Sequence, residues 1–296
     1  MSRLIIALAA IAIVSCVGQK PSSVPKGSGI IGGTDVPEGA PIASSIVAIF
    51  DKEFNSVCTG SIIAENFIVT AAHCANDPRH LKVVFGNDMD LYLTSHEQDV
   101  LEMHVRAVTA VVAHPDYNEK LNEMKNTDHN DIAVMRFSGK LPVGYKPAVI
   151  LADSSYIKIG LMAKVAGFGV DDIELKPVNV KKIEDAREKI DSGEIYCEDE
   201  YEKHCFEVEA TGEGILRQAE APIALKGISE VLLNETKGQG TCMGDSGGPA
   251  YLQDGDDYYL FGVTSRGSSL CDGTGIYTNV VYFTNWINKT MAALKK

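Results

Sequence analysis

One serine, Ser246, lies in a hexapeptide, GDSGGP at 244–249, whose composition suits nucleophilic chemistry. The glycines around it let another backbone approach the side chain closely. A serine hydroxyl is a weak nucleophile at neutral pH and needs a neighbouring general base. The hexapeptide therefore predicts a nucleophilic serine if the chain also supplies a base and a group that orients the base.

The candidate base is His73, in the segment TAAHC at 70–74, directly after a strand-like run. Cys74 follows it, and Cys58 lies sixteen residues upstream of Cys74. A disulfide between these cysteines would hold the loop that carries His73. A general base has to be held within hydrogen-bond reach of its nucleophile.

The candidate orienting group is Asp131, at the start of the alternating run 131–137. A buried carboxylate there would hold an imidazole in one tautomer and stabilise its protonated form. Asp128 is the alternative. Asp131 is favoured because its apolar flank would bury it, whereas Asp128 lies among polar residues.

These side chains need a rigid framework, and the sequence predicts one made of strands. Short β-rich runs separated by turn residues follow residue 30, which predicts an all-β barrel or sandwich. The predicted strands are 45–50, 60–63, 67–70, 81–85, 106–113, 131–137, 161–166, 215–223, 258–263 and 275–280. Apolar residues at helical spacing in 283–296 predict a C-terminal helix packed on the body.

One stretch, 171–213, departs from this pattern with 15 acidic and 6 basic residues. It is interpreted as an inserted surface element, partly helical around 180–190, with Cys197 and Cys205 close enough to close a small loop. A solvated acidic excursion is the simpler interpretation. The alternative is a surface that binds a partner or a protein inhibitor.

Taken together, the motifs resemble those of the chymotrypsin/trypsin family of serine proteases. AAHC at 71–74, NDIA at 130–133 and GDSGGP occur in that family's order. IIGG at 30–33 is similar to the family's mature start, and AGFG at 166–169 precedes the insertion. The resemblance implies two six-stranded antiparallel β-barrels with a short C-terminal helix, a domain over 30–290, and an active site between the barrels.

The resemblance also implies a role for each residue. Ser246 would attack a peptide carbonyl, His73 would take and return the proton, and Asp131 would orient the histidine. The backbone N–H groups of Gly244 and Ser246 would form the oxyanion hole. The reaction implied is peptide-bond hydrolysis through an acyl-enzyme, with a protein or peptide as substrate and no cofactor.

In the family, cleavage before the residue that Ile30 matches exposes an α-amino group, which pairs with the residue that Asp245 matches. The resemblance therefore implies a zymogen and an activating protease. The residue before Ile30 is Gly29, and the nearest upstream basic residue is Lys26. Either a protease without basic specificity cuts here, or trimming follows a first cut after Lys26.

The resemblance places the specificity pocket at four residues: Gly240, Ser265, Gly267 and Gly275. Gly240 lies six residues before the nucleophile, where trypsin-like members carry an aspartate that binds lysine or arginine. A neutral, open slot favours large apolar side chains, as in chymotrypsin. Arg266, where the family usually has tryptophan, and Asp272 are charges that could retune this preference.

The chain has seven cysteines, an odd number, so at least one of them cannot form a disulfide within the chain. Without Cys16, an even number remains, which suits three bridges in an oxidising compartment. Cys58–Cys74 and Cys242–Cys271 resemble two bridges of the family, and Cys197 is close in sequence to Cys205.

The N-terminus predicts export. Residues 1–15 combine a short basic start with an apolar run too short to span a bilayer, which indicates a signal peptide. Cys16 completes a segment similar to the bacterial lipobox, so lipidation there and a bacterial source are predicted. Residues 16–29, rich in Pro, Gly and Ser, are interpreted as a tether or pro-segment. The expected location is extracellular or at the cell envelope.

The remaining expectations concern partners. A net charge of −13 argues against nucleic acid, and membrane contact is expected only through a lipid at Cys16. Asp88 and Asp90 lie near the calcium loop of some relatives, but no convincing ligand set accompanies them, so no metal is predicted. The alternative from another class is a catalytically silent homologue that acts as a binding module.

Overall fold

The computed structural model describes residues 30–118, 129–199 and 202–295. The strands are β1 Thr34–Asp35, β2 Ile46–Asp51, β3 Ser56–Ala64, β4 Phe67–Thr70, β5 Leu81–Val84, β6 Val105–Ala113, β7 Ala133–Phe137, β8 Val149–Ile150, β9 Met162–Gly167, β10 Asp172–Val178, β11 Ile195–Cys197, β12 Cys205–Thr211, β13 Arg217–Lys226, β14 Glu230–Asn234, β15 Pro249–Asp254, β16 Asp257–Arg266 and β17 Thr274–Asn279. The α-helices are α1 Met89–Leu93, α2 Gln98–His104, α3 Ala186–Asp191 and α4 Val280–Leu294.

Two closed barrels account for twelve of these strands. The first is β2-β3-β4-β7-β6-β5. The second is β13-β14-β17-β16-β15-β9, closed by the pairing of β9 with β13. All pairings within both barrels are antiparallel. The prediction of two six-stranded antiparallel barrels is confirmed.

The apolar pattern of the strands explains how the barrels pack. In β2, Val47 and Ile49 point into the first barrel, whereas Ile46 and Ala48 belong to the cluster that joins it to the second barrel and to α4. Alternate side chains of a strand point to opposite faces, so a strand buried on both sides is apolar throughout. Burial on both faces fixes the strands that carry the site.

The C-terminal helix is confirmed, although it begins at Val280, three residues before the predicted start. The side chain of Asn279 accepts a hydrogen bond from the N–H of Val281, which caps the free donors of the first turn. Phe283 and Ile287 form its buried face.

The acidic segment 171–213 forms a separate three-stranded sheet in the order β10-β12-β11. Its α-helix is Ala186–Asp191, so only the second half of the expected helical region is α-helical. Arg217, the first residue of β13, anchors the segment to the second barrel. Its buried guanidinium contacts Asp35, Asp171 and the carbonyl of Gly212.

Several features were not predicted. The strand β14 is only five residues long and lies between polar neighbours. The strand β15 begins at Pro249, a residue that weakens the sequence signal for a strand although it is tolerated at the first position. The run expected to start at Asp131 enters the ladder only at Ala133. Asn130 has a positive φ of 52°, and this turn keeps Asp131 out of the ladder.

Some sequence predictions concern residues outside the described ranges. These are the signal peptide at 1–15, the tether at 16–29, the lipidated Cys16 and the alternative aspartate Asp128. Among the residues that are described, no helix is long and apolar enough to cross a membrane.

Candidate active site

His73 and Asp131 are joined by two hydrogen bonds. His73 lies in a single 3-10 turn, Ala72–Cys74, that follows β4. Its Nδ1 is 2.8 Å from Oδ2 of Asp131, and its backbone N–H donates to Oδ1 at 3.1 Å. Because β4 pairs with β7, with Thr70 opposite Ala133, the ladder brings the two loops together. The carboxylate thus holds both the ring and the backbone of the histidine.

Asp131 is buried, with 3% of its surface exposed, yet it is well supplied with donors. Ser265 donates its hydroxyl to Oδ2 at 2.7 Å, and Thr278 donates to the carbonyl oxygen at 2.8 Å. Burial by itself would raise the pKa of Asp131. The charge and hydrogen bond of His73 and the bond from Ser265 outweigh burial, so this pKa lies below its usual value. Asp131 is therefore ionised at neutral pH.

The loop of Ser246 lies against the loop of His73. The backbone N–H of Thr59 donates to the carbonyl oxygen of Ser246 at 2.8 Å. Cys58 is disulfide-bonded to Cys74, and Sγ of Cys74 lies 3.7 Å from the same carbonyl oxygen. The bridge thus ties the turn of His73 to the strand on which the nucleophile loop rests.

The glycines of GDSGGP are required by sterics and backbone conformation. Gly244 has φ of 94° and Gly247 has φ of 82°. A Cβ on Gly247 would lie 1.9 Å from Oγ1 of Thr70. Within the described part of the chain, the N–H groups of Gly244 and Ser246 donate to no protein acceptor. This turn therefore presents two donors beside the serine hydroxyl.

Asp245 points away from that hydroxyl into the protein and is fully buried. Its carboxylate accepts hydrogen bonds from the N–H groups of Gly169 at 2.8 Å and Cys242 at 2.9 Å. A Cβ on Gly167 would lie 2.2 Å from its Oδ1, so the AGFG segment is shaped around it. Burial raises the pKa of Asp245 to about 7. No lysine, arginine or histidine among the described residues forms a salt bridge with it.

Ile30 is fully buried in the core of the second barrel. The next residue, Ile31, pairs with Gly240 in an isolated bridge, and the N–H of Gly240 donates to its carbonyl at 3.1 Å. Ile30 has φ of 49°, a conformation that β-branched residues rarely adopt. Ile30 and Ile31 thus lie beside the 240–245 loop, and the backbone of Ile30 is strained.

The three disulfides have the pairing expected from the sequence: Cys58–Cys74, Cys197–Cys205 and Cys242–Cys271. Cys242–Cys271 joins the nucleophile loop to the loop before β17. A closed loop of about this size stabilises a fold by roughly 3 kcal/mol, chiefly by limiting the unfolded chain.

The four residues expected to line the specificity pocket differ in what they contact. Gly240 and Gly275 both lie against the carboxylate of Glu235, and Gly267 lies on an open stretch. Ser265 bonds Asp131, as described above. A side chain that the sequence did not single out, Glu235, therefore occupies the space between two of the pocket glycines.

The charges expected to retune the pocket are engaged elsewhere. Arg266 forms a bidentate pair with the buried carboxylate of Glu230, at 2.9 and 3.0 Å. Asp272 accepts a hydrogen bond from the hydroxyl of Ser268 at 2.9 Å. Asp88 caps α1 by accepting from the N–H of Leu91.

Two buried carboxyl groups predict an unusual pH dependence of stability. The pKa values of Glu235 and Asp245 are raised to about 7, whereas both groups titrate near 4 in an unfolded chain. Between these values the folded chain binds more protons, so the free energy of unfolding falls as pH rises from about 4 to 7, by a few kcal/mol. Urea denaturation of the uncut Ser246→Ala chain at pH 4.5 to 7.5 measures this slope.

The pKa of His73 is also raised, so its titration likewise lowers the free energy of unfolding as pH rises. The contribution of each carboxyl group is therefore read from the difference in slope between variants. Glu235→Gln and Asp245→Asn should each flatten it relative to the parent. Unchanged slopes in both would contradict the assignment.

The fold and the site define a class, the two-barrel serine proteases. The family model described as Trypsin matches residues 30–287. The chain is 29% identical over 250 residues to CLIP domain-containing serine protease B4 of Anopheles gambiae, covering 79% of this chain and 62% of that protein. It is 26% identical to kallikrein-8 of Mus musculus, covering 90% and 88% of the two chains. Kallikrein 1-related peptidase b11 of Mus musculus is 27% identical, with 88% and 95% covered.

The protein therefore belongs to the trypsin family of serine proteases. These relatives come from an insect and a mouse, so they lend no support to the predicted bacterial source.

Proposed function

We propose that this protein is an exported serine endopeptidase, synthesised as a zymogen, whose catalytic residues are Ser246, His73 and Asp131. The observation that carries the proposal is the hydrogen-bonded series from Ser265 through Asp131 to Nδ1 of His73, beside the loop of Ser246. A buried, ionised carboxylate on Nδ1 leaves Nε2 as the basic nitrogen.

The proposed reaction has two halves. Ser246 Oγ attacks the substrate carbonyl while Nε2 of His73 takes the hydroxyl proton, and the negative oxygen is held by the N–H groups of Gly244 and Ser246. His73 then protonates the departing amine, which leaves an acyl-enzyme. In the second half His73 takes a proton from a water molecule that attacks the ester carbonyl. It then returns that proton to Ser246 Oγ as the acyl C–O bond breaks, which releases the acid and the free serine.

Activation would follow from Ile30 and Asp245. Cleavage of the Gly29–Ile30 bond would create an α-ammonium group to pair with the buried carboxylate of Asp245, which forms no salt bridge with a lysine, arginine or histidine of the described ranges. It would also abolish the φ torsion of Ile30, now strained at 49°. The resulting ion pair would lower the pKa of Asp245 and hold the oxyanion turn in place.

Export fits the three disulfides, which persist in oxidising compartments. The proposed partners are a protein or peptide substrate and an activating protease, with a protein inhibitor at the acidic segment as a further candidate. A lipid anchor at Cys16 stays a prediction, as do the signal peptide at 1–15 and the pro-segment at 16–29. If Cys16 is lipidated, cleavage before Ile30 would release the protease from the membrane.

The preference for large apolar side chains also stays a prediction. It depended on a neutral pocket base, which the position of Glu235 calls into question. The rival function, a catalytically silent binding module, is disfavoured because the three catalytic residues, their supporting donors and the oxyanion turn are all retained.

The proposed function is tested by comparing the full chain with protein that begins at Ile30 in casein hydrolysis. We expect hydrolysis only after the cut, and none from cut Ser246→Ala. Activity that is equal before and after cleavage would contradict the zymogen. No activity from either wild-type form would favour the binding module.

The pH profile of the mature protease is a further prediction. Burial lowers the pKa of His73, but the charge and hydrogen bond of Asp131 raise it more, so it lies above its ordinary value. Because the neutral imidazole is the base, kcat/KM should fall tenfold per pH unit below that pKa. A plateau that continues below pH 6 on a neutral peptide substrate would show that His73 is not the base.

A further inference from the structure

A buried carboxylate, that of Glu235, lies between Gly240 and Gly275, two of the glycines expected to line the specificity pocket. We propose that Glu235 binds a lysine or arginine side chain on the substrate, immediately before the scissile bond, and is the specificity-determining residue of this protease. The inference rests on the proposed function and names its substrate class.

The position of Glu235 is set by two glycines. A Cβ on Gly240 would lie 2.5 Å from Cβ of Glu235 and 2.8 Å from its Oε2. A Cβ on Gly275 would lie 2.5 Å from its Oε1. A side chain at either position would collide with Glu235. The absence of a side chain at position 240 thus leaves the room that the carboxylate of Glu235, the residue directly after β14, occupies.

Neutral donors hold this carboxylate in place. The hydroxyl of Tyr277 donates to Oε1 at 2.6 Å, and the backbone N–H of Thr241 donates to Oε2 at 3.3 Å. The hydroxyl of Thr241 lies 3.3 and 3.4 Å from the two oxygens. The backbone N–H of Glu235 donates to the carbonyl of Gly273 at 3.0 Å, which fixes the origin of the side chain.

No counter-charge reaches Glu235 within the described part of the chain, where it forms no salt bridge. Only 3% of its surface is exposed. The titratable groups that face it are Tyr277 and the acidic Asp245. Burial raises the pKa of Glu235 to about 7, with the nearby Asp245 adding to the rise. Burying a carboxylate without a cation is costly, and a basic substrate side chain would remove that cost.

One wall of the proposed pocket, at Gly267, is open to solvent. Gly267 is exposed, and a Cβ there would meet only the carbonyl of Thr274 at 3.6 Å and Cα of Gly275 at 4.0 Å. The nearby cation, Arg266, is held by Glu230. An apolar substrate side chain would instead cover an ionised carboxylate without pairing it, so it should bind well only when Glu235 is protonated.

The test uses mature protein and four fluorogenic peptides that differ only in Arg, Lys, Phe or Ala before the cleaved bond. At pH 8 we expect kcat/KM for Arg and Lys to exceed that for Phe by about 100-fold, as for a desolvated charge pair. Glu235→Gln should lower the Arg and Lys values by about 100-fold. Because it removes the charge that an apolar side chain would cover, it should raise the Phe value by up to about tenfold at pH 8 and change the Ala value less than about threefold. Asp272→Asn, which alters an exposed carboxylate nearby, should leave all four unchanged.

The pH dependence separates Glu235 from His73. The ratio of the Arg to the Phe value cancels the titration of His73 and should rise between pH 6 and 8. In Glu235→Gln the ratio should be flat.

A binding measurement reads the pocket without catalysis. Benzamidine, an aromatic amidinium, is titrated calorimetrically into mature Ser246→Ala with and without Glu235→Gln, and thermal unfolding confirms that both are folded. We expect binding at least about 30-fold weaker without the carboxylate.

A preference for Phe or Ala that Glu235→Gln does not alter would overturn the inference, but it would not contradict the proposed protease function. Equal benzamidine affinity in the two variants would also overturn it. If no peptide is cleaved but benzamidine binding still depends on the Glu235 carboxylate, the proposed protease function is rejected and Glu235 remains a binding site for cations.

Discussion

Replacing Ser246 by alanine in the mature protein should lower kcat by about 10⁶-fold while leaving the fold unchanged. The alanine lacks the oxygen that forms the acyl-enzyme, and its methyl group fits where the half-exposed serine lies. His73→Ala should cost a similar factor, and the double variant should be no worse than either single one, because nucleophile and base act as a unit. Initial rates on one peptide substrate, with burst kinetics to count active sites, measure all three.

An additive double variant would show that Ser246 and His73 work independently, which contradicts the proposed proton transfer. Equal thermal unfolding of the three variants is the control for folding.

Asp131→Asn should lower kcat by about 10⁴-fold. Asparagine preserves the shape of the aspartate, but its amide can donate to Nδ1 of His73. Nε2 would then carry the proton and could not accept one from Ser246. Because the hydrogen bond and charge of Asp131 raise the pKa of His73, this pKa should also fall, and the acid limb of the pH profile should move to lower pH.

Ser265→Ala is the matched control for Asp131. It removes one donor, at 2.7 Å, from the same carboxylate oxygen but keeps the charge. We expect a loss of about tenfold, the value of one hydrogen bond to a charged group. A loss equal to that of Asp131→Asn would mean that the geometry around Asp131, rather than its charge, dominates.

The three residues proposed as catalytic could be picked out of the sequence because each lies in a contiguous motif. Ser246 and Asp245 share one hexapeptide, and the chain order of the three motifs is itself informative. The barrels were predictable because short apolar, β-branched strands such as β4 are separated by turn residues, and β4 was predicted residue for residue.

The pocket was harder to predict because its chemistry depends on contacts between distant residues. Glu235 meets Gly275 and Tyr277 across the pairing of β14 with β17, and no local pattern records that contact. The residues on either side of Glu235, Asn234 and Thr236, bond each other in a turn, a local contact that says nothing about where Glu235 points. Gly240 indicated a neutral, open pocket, whereas in the structure the absence of a side chain at this position makes room for Glu235.

The hydrogen bond from Ser265 to Asp131 also could not be predicted, because it forms only in the tertiary structure. Ser265 was expected in the pocket, and its hydroxyl instead donates to the carboxylate that orients His73. Two residues separated by 134 positions carry no shared sequence signal for this bond.

The central claim is that Ser246 is an activated nucleophile in protein that begins at Ile30. The most direct measurement is reaction with a fluorophosphonate followed by mass spectrometry of the modified peptide. The account predicts stoichiometric phosphonylation of Ser246 in the cut protein, slow or no reaction before the cut, and none in His73→Ala. Modification of another residue, or no modification of the cut wild-type protein, would contradict it.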